Sequence, residues 1–70
     1  MDKIILGNTL KQRRDLLHIS QEELSKLSGV GIKTIYAVEQ GKGNPSLEIL
    51  LKLLEVVGLE FELSIKKGNS

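Results

Sequence analysis

The chain has no cysteine and a single histidine, His18. These shortages exclude disulfides, thiolate metal sites and any histidine cluster. Aromatic residues are scarce as well, with one Tyr, one Phe and no Trp. No stretch of about 18 uncharged apolar residues occurs, so no segment is expected to cross a membrane. The opening MDKII lacks the basic region, apolar core and cleavage site of a secretory leader. A cytoplasmic setting is the expectation. With 70 residues there is room for one domain. A chain this short buries only about 60% of the surface that its unfolded form exposes. Its core rarely supplies more than about 3–5 kcal/mol, so such chains lean on some further reinforcement. With disulfides and thiolate metal sites gone, association with a second copy is what remains.

What is present is aliphatic. Leucine, isoleucine and valine dominate a composition that is 40% hydrophobic and 27% charged, a balance that folds rather than staying disordered. Net charge is +1, far from that of a strongly basic nucleic-acid binder. The distribution is more informative. Residues 1–46 carry seven Lys/Arg against five Asp/Glu, whereas residues 47–70 carry three against four. The mildly basic part and the mildly acidic tail are expected to face different partners.

Apolar spacing predicts four helices. Leu6, Leu10 and Leu17 fall on one helical stripe, giving a first helix over about 4–17 that closes at His18 and Ile19. Ser20-Gln21-Glu22-Glu23 is a capping box opening a second helix, with Leu24 and Leu27 on its apolar side and Gly29 as its stop. Ile32, Ile35 and Val38 predict a third helix over about 31–39. A breaker-rich loop, Gln40-Gly41-Lys42-Gly43-Asn44-Pro45, follows it. Ser46 caps a fourth helix over about 46–57, and Gly58 ends it. That helix is apolar at eight of the eleven positions 47–57, more than one buried stripe requires. It is expected to bury one side in its own domain and another against something else.

The period then changes. Leu59-Glu60-Phe61-Glu62-Leu63-Ser64-Ile65-Lys66 alternates apolar and polar, the pattern of a half-buried strand. A lone strand leaves its backbone groups unpaired and needs a partner. Pairing with its own copy, centred on Leu63, sets Phe61 against Ile65 and Glu60 against Lys66. Centring on Glu62 would set like charges against each other. The N-terminal Lys3-Ile4-Ile5-Leu6 is an alternative partner strand. The predicted class is mainly α, with four helices and one C-terminal β-strand pairing across a dimer. Residues 1–58 form the domain, 59–67 the dimerisation strand and 68–70 a disordered tail.

Two short helices joined by a glycine-containing turn make a helix-turn-helix. The stretch SQEELSKLSGVGIKTIYAVEQGKGNPSLEIL resembles the Cro/repressor-type (XRE-like) helix-turn-helix family. The likeness rests on Ser-Gln-x-x-Leu opening the second helix, the Gly-Val turn, Thr-Ile-x-x-x-Glu-x-Gly through the third, and Pro-Ser-Leu opening the fourth. With the first helix it covers residues 4–57. LEFELSIKK after the fourth helix resembles the HipB-like antitoxins, in which the strands of two subunits pair. That resemblance implies a sequence-specific DNA-binding regulator that represses its own operon as a homodimer on a palindromic operator. It also implies binding to a kinase-fold toxin encoded alongside.

The second helix of such a unit enters the major groove. Gln21, at a helix N-terminus suited to phosphate, is by the resemblance a phosphate and positioning contact. Gly31, Ile32, Lys33, Thr34, Tyr36 and Ala37 flank or face outward from the third helix. Lys33 can donate to guanine or phosphate, Tyr36 and Thr34 can meet the backbone, and Ile32 and Ala37 suit thymine methyls. Lys42 and Asn44 lie in the loop where the family meets the DNA backbone. No Arg, Asn or Gln reads bases from this helix, which departs from the family pattern and predicts modest discrimination, with DNA shape and dimerisation adding to it. Leu51, Leu54, Leu59, Phe61, Leu63 and Ile65 are the expected dimer interface. The resemblance also implies a structural ion pair between Arg14 and Glu39.

Other readings stay open. The chain could be a protein-interaction module that neutralises a toxin and binds DNA weakly, or a phage-type lysogeny regulator on the same fold. Lys33 could be a solvated lysine, Tyr36 interface filler, Gln21 a plain helix-start residue, and the helical pair a structural hairpin. Glu22 and Glu23 fit capping rather than acid–base chemistry, because no nucleophile or ligand set accompanies them. Gly41 and Gly43 match no phosphate-binding fingerprint. No enzyme activity, metal or cofactor is expected.

Overall fold

A computed structural model describes residues 2–66. Four helices follow in order: α1 (Lys3–Leu16), α2 (Gln21–Ser28), α3 (Ile32–Glu39) and α4 (Leu47–Val57). Most ends have a local cause, whereas α3 starts at Gly31 without a side-chain cap. The Asp2 carboxylate accepts from the Ile4 amide at the start of α1. Ser20 and Glu23 form the full capping box of α2: the Glu23 amide donates to Ser20 Oγ at 3.0 Å, and the Ser20 amide donates to Glu23 Oε1 at 2.8 Å. Ser46 caps α4 through the Ile49 amide. Gly29 and Gly58 end α2 and α4 in the left-handed region, at φ 77° and 75°. His18, with φ 57°, turns the chain out of α1 in the same region, at a cost glycine would not carry.

The core is small and aliphatic: Leu10, Leu24, Val30, Ile35, Val38, Leu53, Leu54 and Val57. Fully burying one such side chain stabilises by about 1.5–3 kcal/mol. α3 packs on α1 and α2, and α4 closes the other side against α1 and α2.

Several side chains lie elsewhere than the apolar spacing predicts. The buried face of α1 is Gly7, Leu10 and Arg14, whereas Leu17 is 41% exposed at the end of the helix. Leu27 is 65% exposed, and α2 contributes only Leu24 to the core. Leu54 belongs to the domain's own core at 4% exposure, so it is not free to form a dimer interface. α4 indeed has two apolar sides, but the second is carried by Leu47 and Leu51, which are 63% and 48% exposed.

Among the described residues no strand forms. Leu59 and Phe61 pack against the domain core, while Leu63 and Ile65 are 99% and 93% exposed. A single copy offers residues 59–66 no partner. Lys3–Leu6, the alternative partner strand, is the first turn of α1, with its backbone committed to that helix. Residue 67 of the expected strand and the tail 68–70 lie outside the described residues. No helix among the described residues is long and apolar enough to cross a membrane.

Candidate nucleic-acid interface

The α2–turn–α3 unit is set rigidly on the rest of the domain. Ser25 Oγ donates to the Val30 carbonyl at 2.6 Å, and the Val30 amide donates to Ser28 Oγ at 3.1 Å. These bonds hold the short turn between the two helices. Gly31 caps α3 with extended backbone (φ −61°, ψ 146°) and is exposed.

A buried polar cluster ties α3 to α1 and α2. Arg14 Nε and Nη2 donate to the two carboxylate oxygens of Glu39 at 2.7 and 3.0 Å, a bidentate pair. Arg14 Nη1 donates to the Ile19 carbonyl at 2.8 Å. Gln21 Nε2 donates to Glu39 Oε1 at 3.0 Å. The carboxylate only accepts, which fixes the orientation of the Gln21 amide. Arg14 and Glu39 are buried, at 8% and 5% exposure, and no buried side-chain polar atom among the described residues lacks a partner. Hydrogen bonding to Glu39 raises the Arg14 pKa above its ordinary value against the opposing effect of burial. Arginine is not deprotonated in proteins, so the pair is ionic.

The seat beside this cluster is made by Gly7. A Cβ there would overlap the Val38 carbonyl oxygen and come within 2.9 Å of the Glu39 carbonyl oxygen. α1 thus meets α3 backbone to backbone. An isolated glycine inside a helical pattern is the sequence signal for such an approach.

With this inner face fixed, α3 has two outward rows. Ile32 and Tyr36, one helical turn apart, are 42% and 57% exposed. Lys33, Thr34 and Ala37 line a cleft closed on its other side by Lys42, Gly43, Asn44, Pro45 and Ser46. Lys33, Lys42 and Asn44 are exposed, while Thr34 and Ala37 are half-buried. Neither Lys33 nor Lys42 makes an ion pair among the described residues. The cleft is therefore polar at its rim and carries two free ammonium groups. Lys3 Nζ donates to the Gly43 carbonyl, tying this loop to the start of α1. Gln21 stands at the junction of the surface and the buried cluster, half-buried and held by Glu39.

Ile49 of α4 reaches the cleft, while other apolar residues of α4 and the tail form a second surface. Leu47, Leu50, Leu51, Phe61 and Leu63 line one open apolar groove. Leu47 and Leu50 join it without having been singled out by the sequence pattern, because periodicity alone does not divide an almost wholly apolar helix into two faces.

The arrangement matches known proteins along most of its length. A family model described as helix-turn-helix matches residues 10–63. An HTH-type transcriptional regulator of Methanocaldococcus jannaschii is 42% identical over 57 residues, 81% of this chain and 86% of its own length. One from Archaeoglobus fulgidus is 40% identical over 53 residues, 76% of this chain and 75% of its own length. One from Haemophilus influenzae is 45% identical over 56 residues, 80% of this chain and 57% of its own length. Other relatives are much longer: the chain spans 15% of an HTH-type transcriptional regulatory protein of Methanococcus vannielii, at 47% identity over 49 residues. By this match and the α2–turn–α3 geometry, the chain belongs to the Cro/repressor-type helix-turn-helix family of DNA-binding transcriptional regulators.

Proposed function

We propose that the protein is a dimeric, sequence-specific repressor of its own transcription unit, of the HipB-like antitoxin type, and that it works by binding rather than catalysis. The observation that carries this reading is the outward face of α3. It is exposed, flanked by Lys33 and Lys42, and held on the domain by the Arg14–Glu39–Gln21 cluster. In this reading Ile32, Lys33, Tyr36 and the Gly31 end of α3 enter the major groove. Lys42, Asn44, Thr34 and Gln21 lie along the phosphates and fix the register.

A second copy completes the assembly. Its support is the 99% and 93% exposure of Leu63 and Ile65 beside an apolar groove that one copy leaves open. The tails pair antiparallel about Leu63, with Leu51, Leu59, Phe61 and Ile65 around the contact. Two recognition helices then address half-sites of a palindromic operator about 34–36 Å apart.

One observation favours a second reading, in which capping a toxin is the main task and DNA binding is weak. α3 presents a single base, Lys33, among its outward residues. Fluorescence anisotropy with the DNA upstream of its own gene and with scrambled duplex, at about 50 and 200 mM salt, separates the two. Tighter binding to the upstream duplex that survives the higher salt is expected. Equal binding that salt erases from both would overturn the repressor reading.

A further inference from the structure

The two outward rows of α3 differ in chemistry. Lys33, Thr34 and Ala37 turn toward the loop, where Ala37 Cβ lies 3.8 Å from the position that a Gly43 Cβ would take. That row carries the polar rim of the cleft. The other row is Ile32 and Tyr36, both large, both exposed, and neither able to form a bidentate pair with a base edge. The amide groups nearby do not make up for this. Gln21 holds Glu39, and Gln40 lies at the C-terminal end of α3, away from the end that reaches base edges.

An aliphatic group in the major groove recognises one feature that sequence controls, the C5-methyl of thymine. We infer that this protein reads its DNA mainly through thymine methyls, with Ile32 as the contact and the Tyr36 ring packed beside it. Lys33 adds affinity with little discrimination. The inference rests on the α3 groove reading above and deepens it, by naming the base feature the site selects. Its ligand is a duplex half-site with thymines at the positions under the first turn of α3. Each methyl removed from water against Ile32 or Tyr36 is worth about fourfold in affinity.

The test begins with selection from a random-sequence duplex pool. The selected duplex is then remade with deoxyuridine for thymidine, which deletes the methyl and keeps every base-pair hydrogen bond. A weakening of about fourfold per contacted position is expected. Replacing a contacted T·A pair by C·G should also weaken binding, and 5-methylcytosine at that site should recover part of the loss, since it restores a methyl in the same place. Ile32→Ala should shrink the difference between thymine and uracil duplexes, with circular dichroism confirming that the helices remain. Lys33→Ala should weaken both duplexes by the same factor. Equal affinity of the wild-type protein for thymine and uracil duplexes, within twofold, would overturn the inference and leave the repressor reading standing. Failure of the pool to yield any preferred sequence would overturn both.

Discussion

Residues 2–58 and residues 59–66 follow opposite rules. In the first region α1, α2 and α4 begin on a side-chain cap, and every buried polar side-chain atom has a partner. In the second, apolar side chains alternate along the chain, yet Leu63 and Ile65 stand in solvent and no strand bonds form. The body closes its core and pairs its buried polar groups within a single copy, and leaves only the outer side of α4 uncovered. The tail has a pattern that one copy cannot satisfy, and an unsatisfied pattern of this kind carries information about assembly.

The contrast can be broken most severely from within the body. Glu39→Ala strands a charged, buried Arg14 and removes the acceptor of Gln21. Breaking a buried pair on one side costs about 3–5 kcal/mol, comparable to the whole stability of a domain this small. Urea denaturation should find the variant largely unfolded at room temperature. Gly7→Ala comes next. Alanine is the better helix former, but its Cβ meets the backbone of α3. A loss of about 1–3 kcal/mol is expected by the same measurement, and a gain would mean that the α1–α3 approach is looser than described.

A smaller effect sharpens the account of the helix ends. Ser20→Ala should cost about 1 kcal/mol. Glu23→Gln, which removes the carboxyl itself, should flatten the acid limb of the stability curve. The Ser20 backbone amide, and then its hydroxyl, hold the Glu23 carboxyl below the ordinary carboxylate range. A carboxyl with a depressed folded pKa contributes stability that is present above its unfolded value, near 4.3, and is lost as pH falls through the folded value. Thermal melts from pH 6 down to pH 3 should show wild type losing more than Glu23→Gln.

The smallest effect on the body is expected from the tail. Leu63→Asp with Ile65→Asp should leave the unfolding of dilute protein unchanged, because neither side chain is buried. In the proposed dimer the same pair should shift sedimentation toward monomer. A drop in the stability of dilute protein would show that the tail supports the body after all.

Much of the body was legible in the chain because its signals are local. Ser20-Gln21-Glu22-Glu23, Gly29, Ser46 and Gly58 mark boundaries by themselves, and the helices fall within about one residue of the predicted spans. Burial was less legible, because it depends on what packs from elsewhere. Leu54 and Leu51 have the same side chain three positions apart on one helix, yet the first is core and the second exposed. Leu27 has helical spacing from Leu24 but no neighbour to cover it. At the candidate interface, α3's outward residues could be told from its core residues by periodicity. The Gln21–Glu39 bond and the Gly7 seat join residues 18 and more than 30 positions apart, and a local signal such as the lone glycine in α1 does not name the distant residue it meets.

The Gly7 seat has a consequence for how binding preferences can change. The tilt of α3 on the domain is set by main chain against main chain, with the ion pair behind it. The side chains on its outer rows take no part in that support. Ile32, Lys33 and Tyr36 can therefore be exchanged as a set without altering the platform that presents them. The same body could acquire a new target sequence by a few substitutions on one short helix, while the residues that keep it folded stay as they are.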